Sequence, residues 1–333
     1  MRPIISVYNN FKNKGGAQEV VLQLATALNE GRKPLVLTST PYPEIHTEYL
    51  SREIEFQPFN LKTIFEGQQQ GAIFLSHHRK MTSVLAILKK LPFFSINLVH
   101  IAHSTFNTLH YLSFFPEHII AVSNGVKENI ESYFRINPKY VTVIFNGIKD
   151  FQPTCQQHDL EHKEIHILWL GRICPVKQQV EFVRASYGKL SSQIKFFFAG
   201  SGADLPLLLN EIKNSSQYQY IGEINTKTEI SNYDYVCLFS KNEGLGLSLV
   251  EGLCAGKPLI TNRLASVLDV NSGGVGYTAP DFNQLIHIVN NLPQNNSQPY
   301  KKLSFAARCR YLEFFCEETM VKQYQNYLAK NFP

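Results

Sequence analysis

Short, mostly apolar runs recur along this chain between longer helix-like stretches, and that recurrence limits the possible fold more than any other feature of the sequence. In the first half the runs are Ile4-Ile5-Ser6-Val7, Leu35-Val36-Leu37, Ala72-Ile73-Phe74-Leu75, Ile96-Asn97-Leu98-Val99 and Ile119-Ile120-Ala121-Val122. They do not alternate between apolar and polar positions, as strands with one wet face do, so they suit strands buried on both faces of a parallel sheet. After a polar stretch from Phe151 to Glu164 the pattern restarts at Ile165-His166-Ile167-Leu168-Trp169-Leu170. It continues through Phe196-Phe197-Phe198-Ala199, Tyr235-Val236-Cys237-Leu238-Phe239 and Pro258-Leu259-Ile260-Thr261.

The pattern predicts an α/β protein of two Rossmann-like, doubly wound domains facing across a cleft. The first, expected to bind the acceptor, spans 1–150, a linker 151–164, the second, expected to bind the nucleotide sugar, 165–317, and a helix over 318–333 can return to the first domain. The length of 333 residues suits two domains. In doubly wound sheets ligands bind beyond the strand C-termini, which places the expected site in the crevice between the halves.

Composition excludes several classes. No apolar run approaches the roughly 20 residues that span a bilayer, and the N-terminus turns polar too soon for a secretory signal, so a cytoplasmic protein is expected. The six cysteines form no C-x-x-C pair and read as reduced thiols, with no metal site. Residues 1–150 carry 15 Lys/Arg against 11 Asp/Glu, and 151–333 carry 17 against 16. The basic first half could face an anionic partner, a phospholipid surface or a phosphorylated acceptor, although ordinary surface charge explains it equally well. No nucleic-acid partner is expected.

The segment Ser240 to Ile260, S-K-N-E-G-L-G-L-S-L-V-E-G-L-C-A-G-K-P-L-I, places a strand end, a glycine turn and a helix start in succession. Backbone N–H groups of a first helical turn have no intrahelical acceptor and suit a diphosphate. Glu243 precedes that helix and Glu251 lies within it, so two carboxylates flank the anion site, where sugar hydroxyls could donate to them. Either glutamate alone would fit an ordinary exposed turn. A second segment, Gly171-Arg172-Ile173-Cys174-Pro175-Val176-Lys177, puts two cations after a strand, with a helix expected to start at Lys177. They could neutralise a diphosphate leaving group, or be plain surface charges.

These segments resemble the signature of retaining family 4 glycosyltransferases: two glutamates seven residues apart, the A-G-K-P-L-I ending, and G-R-x-x-x-x-K. The resemblance runs from Gly15 to about Tyr277 and is more specific in the second half. It implies a GT-B fold and transfer of a sugar from a nucleoside diphosphate, a UDP-sugar being favoured, to a hydroxyl of a glycan or glycolipid with retention of configuration. By the same resemblance Glu243 lies by the donor sugar, Glu251 binds the ribose, Leu245 and Gly246 face the sugar, and Leu247 and Ser248 the phosphates. Arg172 and Lys177 stabilise the leaving diphosphate in place of a metal, and no D-x-D motif is present. Departures are mild: Leu245 stands where the family often has phenylalanine, and Gly252-Leu253-Cys254 also differs.

Weaker signals join these. Gly15 and Gly16 match the family's N-terminal glycine loop, though a Gly-Gly turn before a helix is common. His103 matches its active-site histidine and His78 a further position without assigned role, whereas His77 and His100 read as structural. Gly200 and Gly202 form a turn that in the family lies near the nucleotide; Leu205 at the third glycine position removes a nicotinamide-binding reading. The stretch Arg79–Leu91, with Arg79, Lys80, Lys89 and Lys90 at its ends, is either a helix packed on the sheet or a basic element resting on a membrane. The expected partners are therefore a nucleotide sugar, a glycan or glycolipid acceptor of cell-surface polysaccharide or lipopolysaccharide synthesis, and an anionic membrane face. A sugar-nucleotide epimerase and a non-catalytic sugar-nucleotide-binding module remain as alternatives.

Overall fold

A computed structural model describes residues 2–151 and 164–333; the polar stretch 152–163, where the linker is expected, lies outside the described residues. Two compact units emerge from the internal contacts: Met1–Asn146 with Met320–Pro333, and Gly147–Thr319.

The first unit is built on a seven-stranded, all-parallel sheet. Its strands are β1 (Ile4–Val7), β2 (Leu35–Thr38), β3 (Glu55–Pro58), β4 (Ile73–Ser76), β5 (Asn97–Ala102), β6 (Ile119–Ala121) and β7 (Val141–Val143). The spatial order is β3-β2-β1-β4-β5-β6-β7, so the order reverses between β1 and β4. Alternate side chains feed two separate apolar layers. Ile5, Val7, Leu37, Phe74 and Leu98 pack with Ile64 and Leu85 of the helices Leu61–Gln69 and Arg79–Leu88, whereas Val36 packs with Val21, Leu22 and Tyr49. Burial on both faces is why these strands read as continuous apolar runs. The helix Glu317–Asn331 brings Met320, Tyr324 and Leu328 into this unit's core, and its Tyr327 hydroxyl meets His118 Nδ1 at 3.4 Å.

The second unit carries a six-stranded parallel sheet, with strands β8 (Ile165–Leu170), β9 (Ile194–Ala199), β10 (Tyr218–Tyr220), β11 (Tyr235–Leu238), β12 (Leu259–Thr261) and β13 (Gly276–Thr278) in the order β10-β9-β8-β11-β12-β13. Trp169, Phe196, Phe198 and Cys237 line one face, with Phe182 above them. The helix Leu247–Cys254 covers the other, where Gly252 comes against Val236 and Leu259. Where the chain enters this unit, Ile148 N–H donates to Phe315 O (3.0 Å) and Ile148 O accepts from Glu317 N–H (2.9 Å), a single parallel bridge. Nearby, the Arg308 guanidinium holds both carboxylate oxygens of Asp150 at 3.0 and 2.5 Å and reaches Cys254 O at 2.7 Å.

Nine strands match the apolar runs read from the sequence; the other four, β3, β7, β10 and β13, were not expected. All four are sheet edges. An edge strand is half wet and short, and its polar positions erase the apolar signal, as in Tyr218-Gln219-Tyr220. The helix Gln298–Arg310 and the π-helical turn Tyr311–Phe315 were likewise not anticipated. The helix expected at Lys177 starts at Gln179, because Gln178 takes a left-handed backbone (φ 56°) that a continuous helix cannot include.

Candidate active site

In the second unit the strand order reverses between β8 and β11, so the loops after these two neighbouring strands lie side by side. Lys177, from the loop after β8, forms an ion pair with Glu243, from the loop after β11, and both side chains are largely buried. The loops are stitched together around this pair. Ser240 Oγ donates to Val176 O (3.0 Å), Lys241 N–H donates to Val176 O (2.8 Å), and Ser266 Oγ donates to Glu243 O (2.9 Å). Lys177 is therefore joined directly to a carboxylate, whereas the sequence suggested a pair of cations, Arg172 and Lys177. Arg172 is exposed, and among the described residues its side chain has no hydrogen-bond partner.

Gly246 caps the helix Leu247–Cys254 with a left-handed backbone, φ 85°. Its carbonyl accepts from Leu249 N–H (2.9 Å), while the N–H groups of Leu247 and Ser248 donate to no acceptor among the described residues. These two amides, two and three residues beyond the buried Leu245, are open donors at the positive end of a helix. Farther along, Glu251 accepts from Thr226 Oγ1 at 3.0 Å. Burial pushes the Glu251 carboxyl up to about 7, against the opposing pull of Thr226 and Lys227. Nothing in the sequence marks Thr226, which lies in a short helix 25 residues before its partner.

Gly200 and Gly202 follow β9 and cross the turn after β8 at close range. A Cβ on either would stand 2.2 Å from a backbone oxygen, that of Gly171 or of Ile173. Ile173 N–H donates to Ser201 O and Asp204 N–H to Ile173 O, so the Arg172 turn is held by the glycine turn beside it.

In the first unit, Gly15 precedes the helix Gly16–Ala27 in the loop after β1, and its N–H donates to Tyr49 Oη at 3.3 Å. Gln18 Nε2 ties the same loop through Asn10 O and Asn13 O. His77 and His103, directly after β4 and β5, meet at 2.8 Å between Nδ1 and Nε2. Burial pulls His103 down to about 4, and burial followed by the neighbouring imidazoles holds His77 well below the ordinary histidine range. His100 is a separate, structural histidine: its Nδ1 meets Thr82 Oγ1 (2.7 Å) and Ser76 O (3.1 Å). His78 occupies the N-cap position of the helix Arg79–Leu88.

Arg79 is not one of the surface cations that the sequence suggested. It is buried, donates to Thr108 O at 2.5 Å and lies 4.3 Å from the Phe106 ring, so it organises the loop after β5. Among the described residues no helix is long and apolar enough to cross a membrane, and no cluster of three or more His, Cys, Asp or Glu suits a metal ion. The five described cysteines are free.

Residues 150–308 match the family model for glycosyl transferases group 1. Over 164 residues, 49% of this chain and 46% of the relative, the sequence is 27% identical to the Escherichia coli O-antigen biosynthesis glycosyltransferase WbnH. It is 22% identical over 238 residues to N-acetyl-alpha-D-glucosaminyl L-malate synthase of Bacillus anthracis, covering 68% of this chain and 57% of that one. The chain thus spans about half the length of the curated relatives it matches. Among solved structures, Anabaena HepE in complex with UDP and glucose superposes with a TM-score of 0.78 at 15% identity, covering 98% of this chain and 99% of that one. At that identity the likeness is one of fold, and with two doubly wound parallel sheets the fold class is the expected GT-B.

Proposed function

We propose, from the match of residues 150–308 to the family model for glycosyl transferases group 1, that this chain moves a sugar from a nucleoside diphosphate sugar to a hydroxyl of a glycan or glycolipid acceptor. The observation that carries the reading is the Lys177–Glu243 pair at the switch point of the second sheet, in the loop that leads to the open amides of Leu247 and Ser248. A diphosphate needs donors and cations, and a sugar needs carboxylates that accept from hydroxyls; this unit supplies both. UDP is the favoured carrier, in keeping with HepE, whose crystals hold UDP and glucose.

On this reading the N–H groups of Leu247 and Ser248 and the Arg172 guanidinium bind the diphosphate and take up the negative charge that grows on it as the glycosidic bond breaks. Glu243 accepts from a donor-sugar hydroxyl and holds Lys177 beside the phosphates, and Leu245 and Gly246 form the backbone wall next to the sugar. Glu251, oriented by Thr226, accepts from the ribose. The turns at Gly200 and Gly202 flank the nucleotide, and the Gly15-Gly16 turn and His103 of the first unit face the donor sugar. The departing phosphate oxygen takes the acceptor proton on the same face, which retains configuration. No metal is required in this scheme, and EDTA tests that directly.

The finer partner is a lipid surface at the cytoplasmic side of a membrane, with an acceptor in lipopolysaccharide or other cell-surface polysaccharide synthesis. Supporting it, residues 67–116 contain no Asp or Glu. The same stretch leaves Ile87, Leu91, Phe93, Tyr111 and Leu112 exposed beside Lys89 and Lys90. The two segments meet at Phe114, whose N–H donates to Ser83 Oγ (2.9 Å) and whose ring lies 5.6 Å from Lys90 Nζ. Exposed apolar side chains next to lysines suit an anionic headgroup region.

The deciding experiment is a thermal-shift screen of UDP-, GDP- and ADP-sugars in EDTA, with Glu251→Ala and Arg172→Ala as controls. Stabilisation by one nucleotide class, lost in both variants, supports the donor site and names the carrier. No shift with any of them sinks the reading.

A further inference from the structure

His77 and His103 meet edge to edge. Their rings lie within 15° of parallel with centroids 5.1 Å apart, and with a 2.8 Å N···N contact this describes two rings sharing one plane, one nitrogen lone pair aimed at the other ring's N–H. Both rings are neutral at pH 7, because burial holds both below the ordinary histidine range. Between two neutral imidazoles one nitrogen must donate, and only two arrangements exist.

The remaining nitrogens decide between them. His77 Nε2 is buried and has no partner among the described residues, in a side chain only 4% exposed. If His103 donated from Nε2, His77 would carry its proton on that sealed Nε2, leaving an N–H orphaned in the interior. If His77 donates from Nδ1, the sealed Nε2 is a bare lone pair, and buried orphan N–H groups are the rarer of the two in proteins. His103 Nδ1, by contrast, belongs to a half-buried side chain and is not among the sealed, unpartnered atoms.

We propose that His77 is a positioning residue for His103: it donates from Nδ1 to His103 Nε2 and thereby holds His103 as the Nδ1–H tautomer, a neutral ring whose open side can only donate a hydrogen bond. The inference rests on the reading that His103 faces the donor sugar, and it adds which way the bond there runs. A sugar oxygen opposite His103 must accept, so a deoxy or fluoro substituent at that oxygen is felt as a lost acceptor and never as a lost donor.

The backbone supports the arrangement. His77 N–H donates to Val7 O (2.9 Å), which fixes the first residue after β4, and β4 and β5 run in register with Ser76 opposite His100. The two histidines therefore leave adjacent strand ends, and neither can turn without breaking the contact.

The test uses the full chain labelled with 15N at histidine, with His103 assigned by comparison with His103→Ala. Expected is the Nδ1–H tautomer of His103 in the wild type and in His77→Asn, whose amide can donate from the same place, and its loss in His77→Leu. In transfer assays kcat should fall about tenfold in His77→Leu while the donor KM stays within about twofold, and His77→Asn should recover most of kcat. A wild-type His103 protonated on Nε2 overturns the proposal, as do equal losses in the Leu and Asn variants, which would mark a purely structural side chain. A His103→Ala enzyme as active as the wild type would instead overturn the placement of His103 at the sugar, and the tautomer measurement would still decide the clamp.

Discussion

Lys177 and Glu243, 66 residues apart in the chain, are partners drawn from the loops that follow two neighbouring strands, β8 and β11. With both side chains largely out of water, the pair is a poor candidate for mere surface decoration. Removing one partner strands the other. Lys177→Met and Glu243→Gln should each cost about 3 kcal/mol in urea unfolding, and each should lower kcat/KM for transfer by about a hundredfold or more. The double variant should recover much of the stability and none of the activity; a double variant that unfolds as easily as the worse single one would refute the pairing.

Glu251 gives a pH signature. Its carboxyl is raised from 4.5 to about 7 by burial, so the folded chain prefers the protonated form. The associated stability is fully present below about pH 4.5 and is lost as pH rises through about 7. Relative to Glu251→Gln, the wild type should therefore lose up to about 3 kcal/mol between pH 4.5 and pH 8. Urea midpoints of the two proteins across that range check it, and parallel curves would contradict it.

Gly202 has no room for a side chain. A Cβ there would stand 2.2 Å from Ile173 O, with φ at +158°. The obstacle is backbone and cannot swing away. Gly202→Ala should destabilise the protein by about 2 kcal/mol or more and weaken nucleotide binding by displacing the Arg172 turn. Chemical denaturation with a nucleotide titration measures both.

The exposed side chains near Lys89 and Lys90 predict lipid binding that depends on charge. Sedimentation with phosphatidylglycerol vesicles should exceed that with phosphatidylcholine and fall with salt. Phe93→Ser with Leu112→Ser should weaken it without moving the thermal midpoint, since these side chains are 79% and 69% exposed. Equal binding to both vesicle types would remove the electrostatic part of the argument.

How much of this was legible in the sequence follows from where burial is complete. Strands such as Ile4–Val7 and Ile165–Leu170 sit in sheet interiors, so their apolar runs name them. The edges β3, β7, β10 and β13 carry the polar residues an edge needs, and no periodicity betrays them. The segment from Glu243 to Ser248 could be read directly, because a glycine turn entering a helix is a local event. Partnerships over distance could not. Nothing near Thr226 in sequence announces Glu251, and nothing near Lys177 announces its ion pair with Glu243. Arg79 shows the opposite failure. A cation beside a lysine reads as surface, yet Thr108 O and the Phe106 ring make its burial tolerable.

The bridge at Ile148 has a consequence for inheritance. Ile148 bonds to Phe315 on one side and Glu317 on the other, so the stretch 147–319 begins and ends at hydrogen-bonded neighbours. A segment with such ends behaves as an insert: it can be excised and another of its kind spliced in without stretching the chain on either side. With the domain roles expected from the sequence, that insert binds the nucleotide and the surrounding chain binds what receives the sugar. The two could then be shuffled by recombination as separate cassettes, each new pairing joining another donor site to another acceptor site.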